Sequence, residues 1–275
     1  NIDILPTVNS FVTSLEDVFL SKWGIINKRF YDLLEKIERR VKHPQAIEAL
    51  TCLAAGFNHL PQLAARIRKT QKETSQLLMQ LIDCDLISKA ADVYMFEDRL
   101  FSFWLSHIHG KRVSAFGMDE DKQRYFLKEA IESSYRSFFE AQGKAVSGRI
   151  VDLFNQFDNE AVQIRNKRLR LSHFKEVKLL NINGSKIKEG ILGRAVNSLW
   201  IAGLKEDRVI EEDMLEFVNV CQKFKYNKAQ KRIFIAFDEV DNNARLVAKE
   251  EKVTTWDAAF VNCLLDIYGK PRIIR

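Results

Sequence analysis

Apolar positions first recur along this chain at helical spacing. In FVTSLEDVFLSKW (residues 11–23), Phe11, Leu15, Val18 and Phe19 fall on one face; in IINKRFYDLLEKIERR (residues 25–40), Ile25, Phe30, Leu33, Leu34 and Ile37 do the same. Gly24 lies between the two patterns, where it is expected to cap the end of the first helix, and His43-Pro44-Gln45 breaks the second. Three shorter helical patterns follow: IEALTCLAAG, LPQLAARIRK and TQKETSQLLMQLIDC. Pro61 sits in the first turn of the middle one, where a missing N–H does little harm. Thr70 and Glu73 have capping-box spacing at the start of the third. That third helix is expected to bury Leu77, Leu78, Leu81 and Ile82 and to turn Lys72, Ser75, Gln76, Met79 and Gln80 outward. Two strand-like runs, DLISKA and VYMFED, then meet at a polar tip around Ala91 and Asp92. The aromatic run RLFSFWLSHIH comes next, with Phe101, Trp104 and Leu105 sharing a core-facing side. That order predicts a helix-turn-helix with a β-hairpin wing, a device that presents one helix to a DNA groove or a protein partner.

Beyond residue 110 the pattern changes. GKRVSAFG has the small, polar character of a linker, and the domain boundary is expected there. The predicted organisation is a helical pair over residues 1–43, a winged helix-turn-helix over 44–112, and an α/β domain over 113–275. In the last of these, DEDKQRYFLKEAIESSYRSFFEAQGK and GRIVDLFNQF read as helices. Strand candidates are EAVQIR, FKEVKLLNI, VNSLWIAGL and KRIFIAF, with VTTW as a short edge strand. EEDMLEFVNVCQKF, NNARLVAKE and WDAAFVNCLLDIYG complete the helices. The fold class is therefore α+β overall, with a mixed sheet flanked by helices in the back half.

Composition narrows the picture only modestly. At 275 residues and 46% hydrophobic, the chain has material for two cores. Its 43 basic and 37 acidic residues leave a formal charge of +6, compatible with nucleic acid without requiring it. Cys52, Cys84, Cys221 and Cys263 show no CxxC or zinc-knuckle spacing, so reduced thiols and a cytoplasmic location are expected. No apolar run approaches the roughly 20 residues of a bilayer span, and no signal peptide opens the chain, so no membrane partner is expected. An opening Asn in place of Met suggests a processed chain or a fragment.

The chemistry that is missing is equally informative. No G-x-x-x-x-G-K-[ST] loop occurs: GILGRAV and GKAVSGR both lack the Gly-Lys-Ser/Thr end, so this chain has no ATPase site of its own. GxSxG and HExxH motifs are also absent, and His107 and His109, two apart on a helix, point in different directions.

Residues Tyr94-Met95-Phe96-Glu97-Asp98-Arg99-Leu100-Phe101-Ser102-Phe103-Trp104-Leu105 follow the pattern Y-x-x-x-D-x-L-F-x-x-W-L. On that signature and on element order, the chain resembles the C-terminal part of archaeal-type prokaryotic AAA/STAND-like ATPases. The likeness is specific over residues 47–105 and loose beyond 120, and the family's N-terminal ATPase domain is absent from this chain. It implies that the back domain is restriction-endonuclease-like. In active members of that fold an Asp opens one strand and a Glu-x-Lys sits on the next, the carboxylates holding Mg²⁺. The matching strand here is Leu199-Trp200-Ile201-Ala202-Gly203-Leu204-Lys205. Lys205 falls at the lysine, but the carboxylate position is Gly203, the upstream Asp position is Ile191 or Gly190, and the first-helix acid falls at Val146 or Ser147. None of these supplies the anionic oxygen donors a hard cation needs. The resemblance thus implies a catalytically degenerate nuclease fold with Lys205 as its remnant and no cofactor. Beside it stands a plain reading of Lys205-Glu206-Asp207 as a polar turn after a strand.

The functional expectation is a DNA-binding and regulatory C-terminal portion of an ATPase-linked protein, with a nuclease-like domain expected to be inactive. Arg66, Arg68, Lys69 and Lys72 surround the turn into the presented helix, where phosphate contacts lie, and Ser75, Gln76 and Gln80 are placed to reach base edges of duplex DNA. A second basic group, Arg165, Lys167, Arg168, Arg170, Lys175 and Lys178, flanks the first strands of the back domain. Two alternatives remain open. One is an interaction module that docks on an ATPase domain or partner subunit without touching DNA. The other is a Mg²⁺-dependent nuclease whose ligands have moved, with Glu189, Glu206 or Asp152 as replacements.

Overall fold

The computed structural model describes residues 4–21, 23–114, 119–165, 167–181, 189–224 and 229–274. The architecture is α+β, as the sequence pattern predicts, and it divides into two compact units, Asn1–Phe138 and Phe139–Arg275.

The front unit opens with α1 (Ile4–Phe19) and α2 (Ile25–Val41). On α2 the buried stripe is Asn27, Phe30, Leu34, Ile37 and Val41. Ile25, expected on that face, is instead 75% exposed: it lies two residues before Asn27, about 200° round the helix and so on the side away from the stripe. Gly24 does separate the helices, but not as a left-handed C-cap: its φ is −59° and it forms the N-cap of α2. A Cβ there would lie 2.5 Å from the Val18 carbonyl oxygen, so the glycine permits a close backbone approach.

Next come α3 (Ala46–Ala54), α4 (Leu60–Arg66) and α5 (Gln71–Ile82), then β1 (Ile87–Ala90) and β2 (Val93–Phe96). The two strands pair antiparallel from Ile87↔Phe96 to Ala90↔Val93, leaving Ala91 and Asp92 at the tip. α6 (Arg99–Trp104) is capped by Asp98, whose carboxylate accepts from the Leu100 and Phe101 amides. A single π-helical turn, Leu105–His109, continues it into α7 (Gly110–Ser114). Phe101, Trp104 and Leu105 are all within 1% of full burial, as their spacing predicts. Burial of side chains this large contributes roughly 1.5–3 kcal/mol each. The Trp104 indole N–H is not left unpaired: it donates to Asn27 Oδ1 at 3.1 Å, and Asn27 Nδ2 in turn donates to the Ser21 carbonyl.

Residues 110–114, expected to begin a linker, are helical, and 115–117 lie outside the described residues. The chain remains with the front unit well past 112. Arg112 donates to Gln123 Oε1, Tyr31 Oη and the Leu20 carbonyl, and α8 (Glu120–Gly143) sends Leu127 and Ile131 into the front core.

In the back unit α9 (Val146–Phe154) precedes a two-stranded ribbon, β3 (Ala161–Ile164) and β4 (Lys167–Arg170). A five-stranded mixed sheet follows, in the order β5 (Phe174–Asn181), β6 (Glu189–Ala195), β7 (Ser198–Lys205), β8 (Ala229–Ala236), β9 (Val253–Asp257). β5, β6 and β7 form an antiparallel meander, while β7, β8 and β9 run parallel. The crossovers are α10 (Glu211–Lys223) and α11 (Asn242–Glu250), and α12 (Ala258–Ile267) closes the unit. The pattern did not single out β4 or β6 as strands. Leu192, Leu199 and Ile201 face α10 and pack with Met214, Phe217 and Phe234. Alternation sends Trp200 to the other face, where Phe154 of α9, Phe174 and Trp256 meet it with ring centroids 5.2–6.3 Å away.

Candidate functional site

The helix α5 is held by its N-terminus. Thr70 Oγ1 accepts from the Glu73 amide at 3.2 Å, and the Glu73 carboxylate accepts from the Thr70 amide at 3.0 Å, the predicted capping box. The Thr70 hydroxyl also donates to that carboxylate, and this bond, with the backbone one, holds the Glu73 acid below its ordinary range. Thr74, Leu77, Leu78 and Leu81 are buried, and Ile82 is half-buried. The opposite side carries exposed Lys72, Gln76 and Gln80 at successive turns, with Met79 beside them and Ser75 half-buried. The α4–α5 turn is fixed by Gln45 Nε2, which donates to the Ile67 carbonyl at 2.7 Å. Arg68 there takes a left-handed φ of +54°.

The structure therefore brings the predicted residues to one region of the front unit. Arg66, Arg68 and Lys69 are exposed around the turn, immediately before Lys72. Two of the three are partly engaged. The Arg66 guanidinium lies over Phe57, 4.1 Å from its centroid, and Lys69 Nζ stands 4.0 Å from the Glu73 carboxylate. Lys89, on β1 of the hairpin, is a further exposed cation that the sequence pattern did not single out; it rests over Tyr94.

In the back unit, the positions expected to form a nuclease centre do not converge. Lys205 lies on the α10 face of the sheet, where its ammonium meets Asp213 Oδ2 at 2.5 Å. Asp213 is fully buried, and the same oxygen accepts from the Ile210 amide at 2.9 Å, at the N-cap of α10. Lys205 thus anchors a helix end. Val146 and Ser147 belong to α9, which packs on the opposite face with Trp200. Gly190 pairs directly with Gly203, and Ile191 with Ala202 on the face away from Lys205. A Cβ at Gly203 would sit 2.7 Å from the Phe217 ring, so no carboxylate fits there without moving a buried side chain. The residues present at this register do not suit Mg²⁺. Among the described residues no three His, Cys, Asp or Glu side chains stand together as a potential metal site. Of the three migrated candidates, Asp152 pairs with Lys144 at 2.7 Å.

The second basic group divides. Lys178 is paired with Glu176, which Arg194 also approaches. Arg165 and Lys167 instead line a cleft at the carboxyl ends of β8 and β9, together with Arg245 of α11.

No family model and no curated protein matches the chain. Among solved structures, protein VC1899 from Vibrio cholerae is similar over 90% of this chain and 57% of that one, at 11% identity and a TM-score of 0.28. The chain thus spans a little over half of that protein's length, and a likeness at this level bears on neither fold nor function. Among the described residues no helix is long and apolar enough to cross a membrane.

Proposed function

We propose that the front unit is a winged helix that binds duplex DNA through α5, and that the chain acts as a DNA-binding, regulatory portion of an ATPase-linked protein without cutting DNA itself. The observation that carries this reading is the exposed polar side of α5. Lys72, Gln76 and Gln80 lie one above another, and Arg66, Arg68 and Lys69 precede them in the turn. A helix in the major groove reads base edges with such amides, while cations around its N-terminal turn neutralise phosphates and set its register. The order in the back unit is α9, the β5–β6–β7 meander, α10 and then parallel β8, which supports the nuclease-like ancestry that the sequence resemblance implies. The Gly203–Phe217 contact and the Lys205–Asp213 pair support its being inactive.

The test is fluorescence anisotropy on a short labelled duplex over a range of salt. The variant Arg66→Glu/Lys69→Glu/Lys72→Glu should bind more weakly and flatten the slope of log K against log salt by about three, near one per lost phosphate contact. Wild-type affinity and slope in that variant would take α5 out of the interface. That outcome would favour docking on an ATPase domain or partner subunit, for which Met79, 51% exposed amid the polar side chains, is the natural anchor.

A further inference from the structure

We propose that the cleft at the carboxyl ends of β8 and β9 binds a terminal phosphate, the dianionic monoester carried by a mononucleotide or by the 5′ end of a nucleic-acid strand. The cleft has a volume of about 360 Å³. That lies at the lower end of the range for small-ligand sites, roughly 300–1,000 Å³, and suits one nucleotide and not a duplex. It opens where the strand directions of the parallel part of the sheet converge, since Ala236 closes β8 and Asp257 closes β9 in register with it. Ligands of open α/β sheets bind at this end of the strands.

Its lining is charged in an unbalanced way. Among the described residues that line it, Arg165, Lys167 and Arg245 face it with Asp257 as the one carboxylate, so three positive charges meet one negative and two remain over. Asp257 is already engaged twice. Its Oδ2 lies 3.1 Å from Arg165 Nη1, and its Oδ1 accepts from the Phe260 amide at 2.6 Å, capping α12. Among the described residues Lys167 and Arg245 have no carboxylate partner, and both are exposed. Two surplus cations match the two charges of a phosphomonoester, and a guanidinium fork can grip two of its oxygens at once.

The hairpin that carries two of the cations is built for placement. Ile164 pairs with Lys167 at the end of the hairpin, and Arg165 takes a φ of +53° beside it, a region that favours Gly or Asn. An arginine tolerated in that conformation keeps its side chain on Asp257 at the rim. Trp256 and Phe260 supply the apolar floor, their rings 5.1 Å apart at 32°. Thr255, half-buried beside them, adds a hydroxyl.

The test is isothermal titration calorimetry on the full chain with AMP, with inorganic phosphate, and with a single-stranded oligonucleotide bearing either a 5′-phosphate or a 5′-hydroxyl. Binding of AMP, or a preference for the 5′-phosphate over the 5′-hydroxyl strand, is expected, and which of the two is tighter identifies the source of the phosphate. Lys167→Gln/Arg245→Gln should weaken that binding about tenfold or more, while Arg168→Gln/Lys175→Gln, exposed cations outside the cleft, should change it less than about twofold. The winged-helix triple variant should retain it, because this site does not depend on α5. Three results would overturn the proposal: no binding of any probe, equal affinity for the two strands without AMP binding, or equal loss in the cleft and control variants. The strand comparison uses wild-type protein, so it decides even if a substitution unfolds the unit.

Discussion

Gly203→Ala adds one methyl group to the centre of the back sheet, and the structure says what that methyl meets. Its Cβ would stand 2.7 and 2.9 Å from Cδ2 and Cε2 of Phe217. The ring cannot easily turn aside: it is fully buried and packs edge-on to Phe234, centroids 5.3 Å apart at 84°. Overpacking of this kind costs about 1–3 kcal/mol. Replacing a strand glycine returns about 0.5–1 kcal/mol through reduced unfolded-state freedom. The net expectation is a loss of about 1–2 kcal/mol. Because the chain has two units, a single bulk transition would mix their stabilities. Hydrogen exchange resolved to peptides of β7 and β8 reads the back unit alone. Phe217→Leu, with a smaller and more flexible side chain, should absorb the added methyl. The double variant should therefore be more stable than the sum of the singles by about 1 kcal/mol. If Gly203→Ala leaves exchange unchanged or slower, or if the two substitutions add within about 0.5 kcal/mol, the ring does not close this position and the account of the sheet face fails.

Two further outcomes test other contacts. Removing one partner of the Lys205–Asp213 pair, by Lys205→Met or Asp213→Asn, should destabilise the back unit by about 3 kcal/mol, since each leaves a poorly solvated charge, whereas the double replacement should cost clearly less than the sum; strict additivity in back-unit exchange would show that the pair is not coupled. In the front unit, burial and then Lys111 lower the pKa of His107, and burial and then Arg112 lower that of His109. With the folded pKa below the unfolded value of about 6.5, their contribution is complete above that pH and is lost as pH falls through the folded values. Front-unit stability read by hydrogen exchange in peptides of α6 and α7, corrected for intrinsic exchange, should decline on the acid side between about pH 8 and 5, and His107→Gln/His109→Gln should flatten the decline; an unchanged profile would refute the assignment.

What the sequence made legible follows from how far apart the determinants lie. The front unit was readable because its signals are local. Thr70 and Glu73 cap α5 three residues apart, Pro61 starts α4, and Phe101, Trp104 and Leu105 share one helical side. Local signals also misled: residues 110–114 have linker composition, yet they form a helix because Arg112 is held by Tyr31 and Leu20, far back in sequence. β4 has only Leu169 among charged neighbours and β6 holds two glycines, so neither shows a strand propensity; both are strands because a partner pairs with them.

The same distance effect governs the back sheet. Sequence alone shows that Gly203 and Gly190 lack oxygen ligands, but a missing ligand can be replaced by a neighbour, as Glu189, Glu206 or Asp152 would have done. What makes replacement difficult is a side chain from another element. Phe217 occupies the space in front of Gly203, and Asp213 holds Lys205. Neither residue looks unusual on an amphipathic helix. A charged residue restored at 203 must displace a buried ring, and a lysine freed at 205 must leave a buried carboxylate uncompensated, so each reversal carries its own penalty of about 1–5 kcal/mol. Metal chemistry at this register would require both changes together with new oxygen donors, and the cations Lys167 and Arg245 line the cleft at the carboxyl ends of β8 and β9 instead.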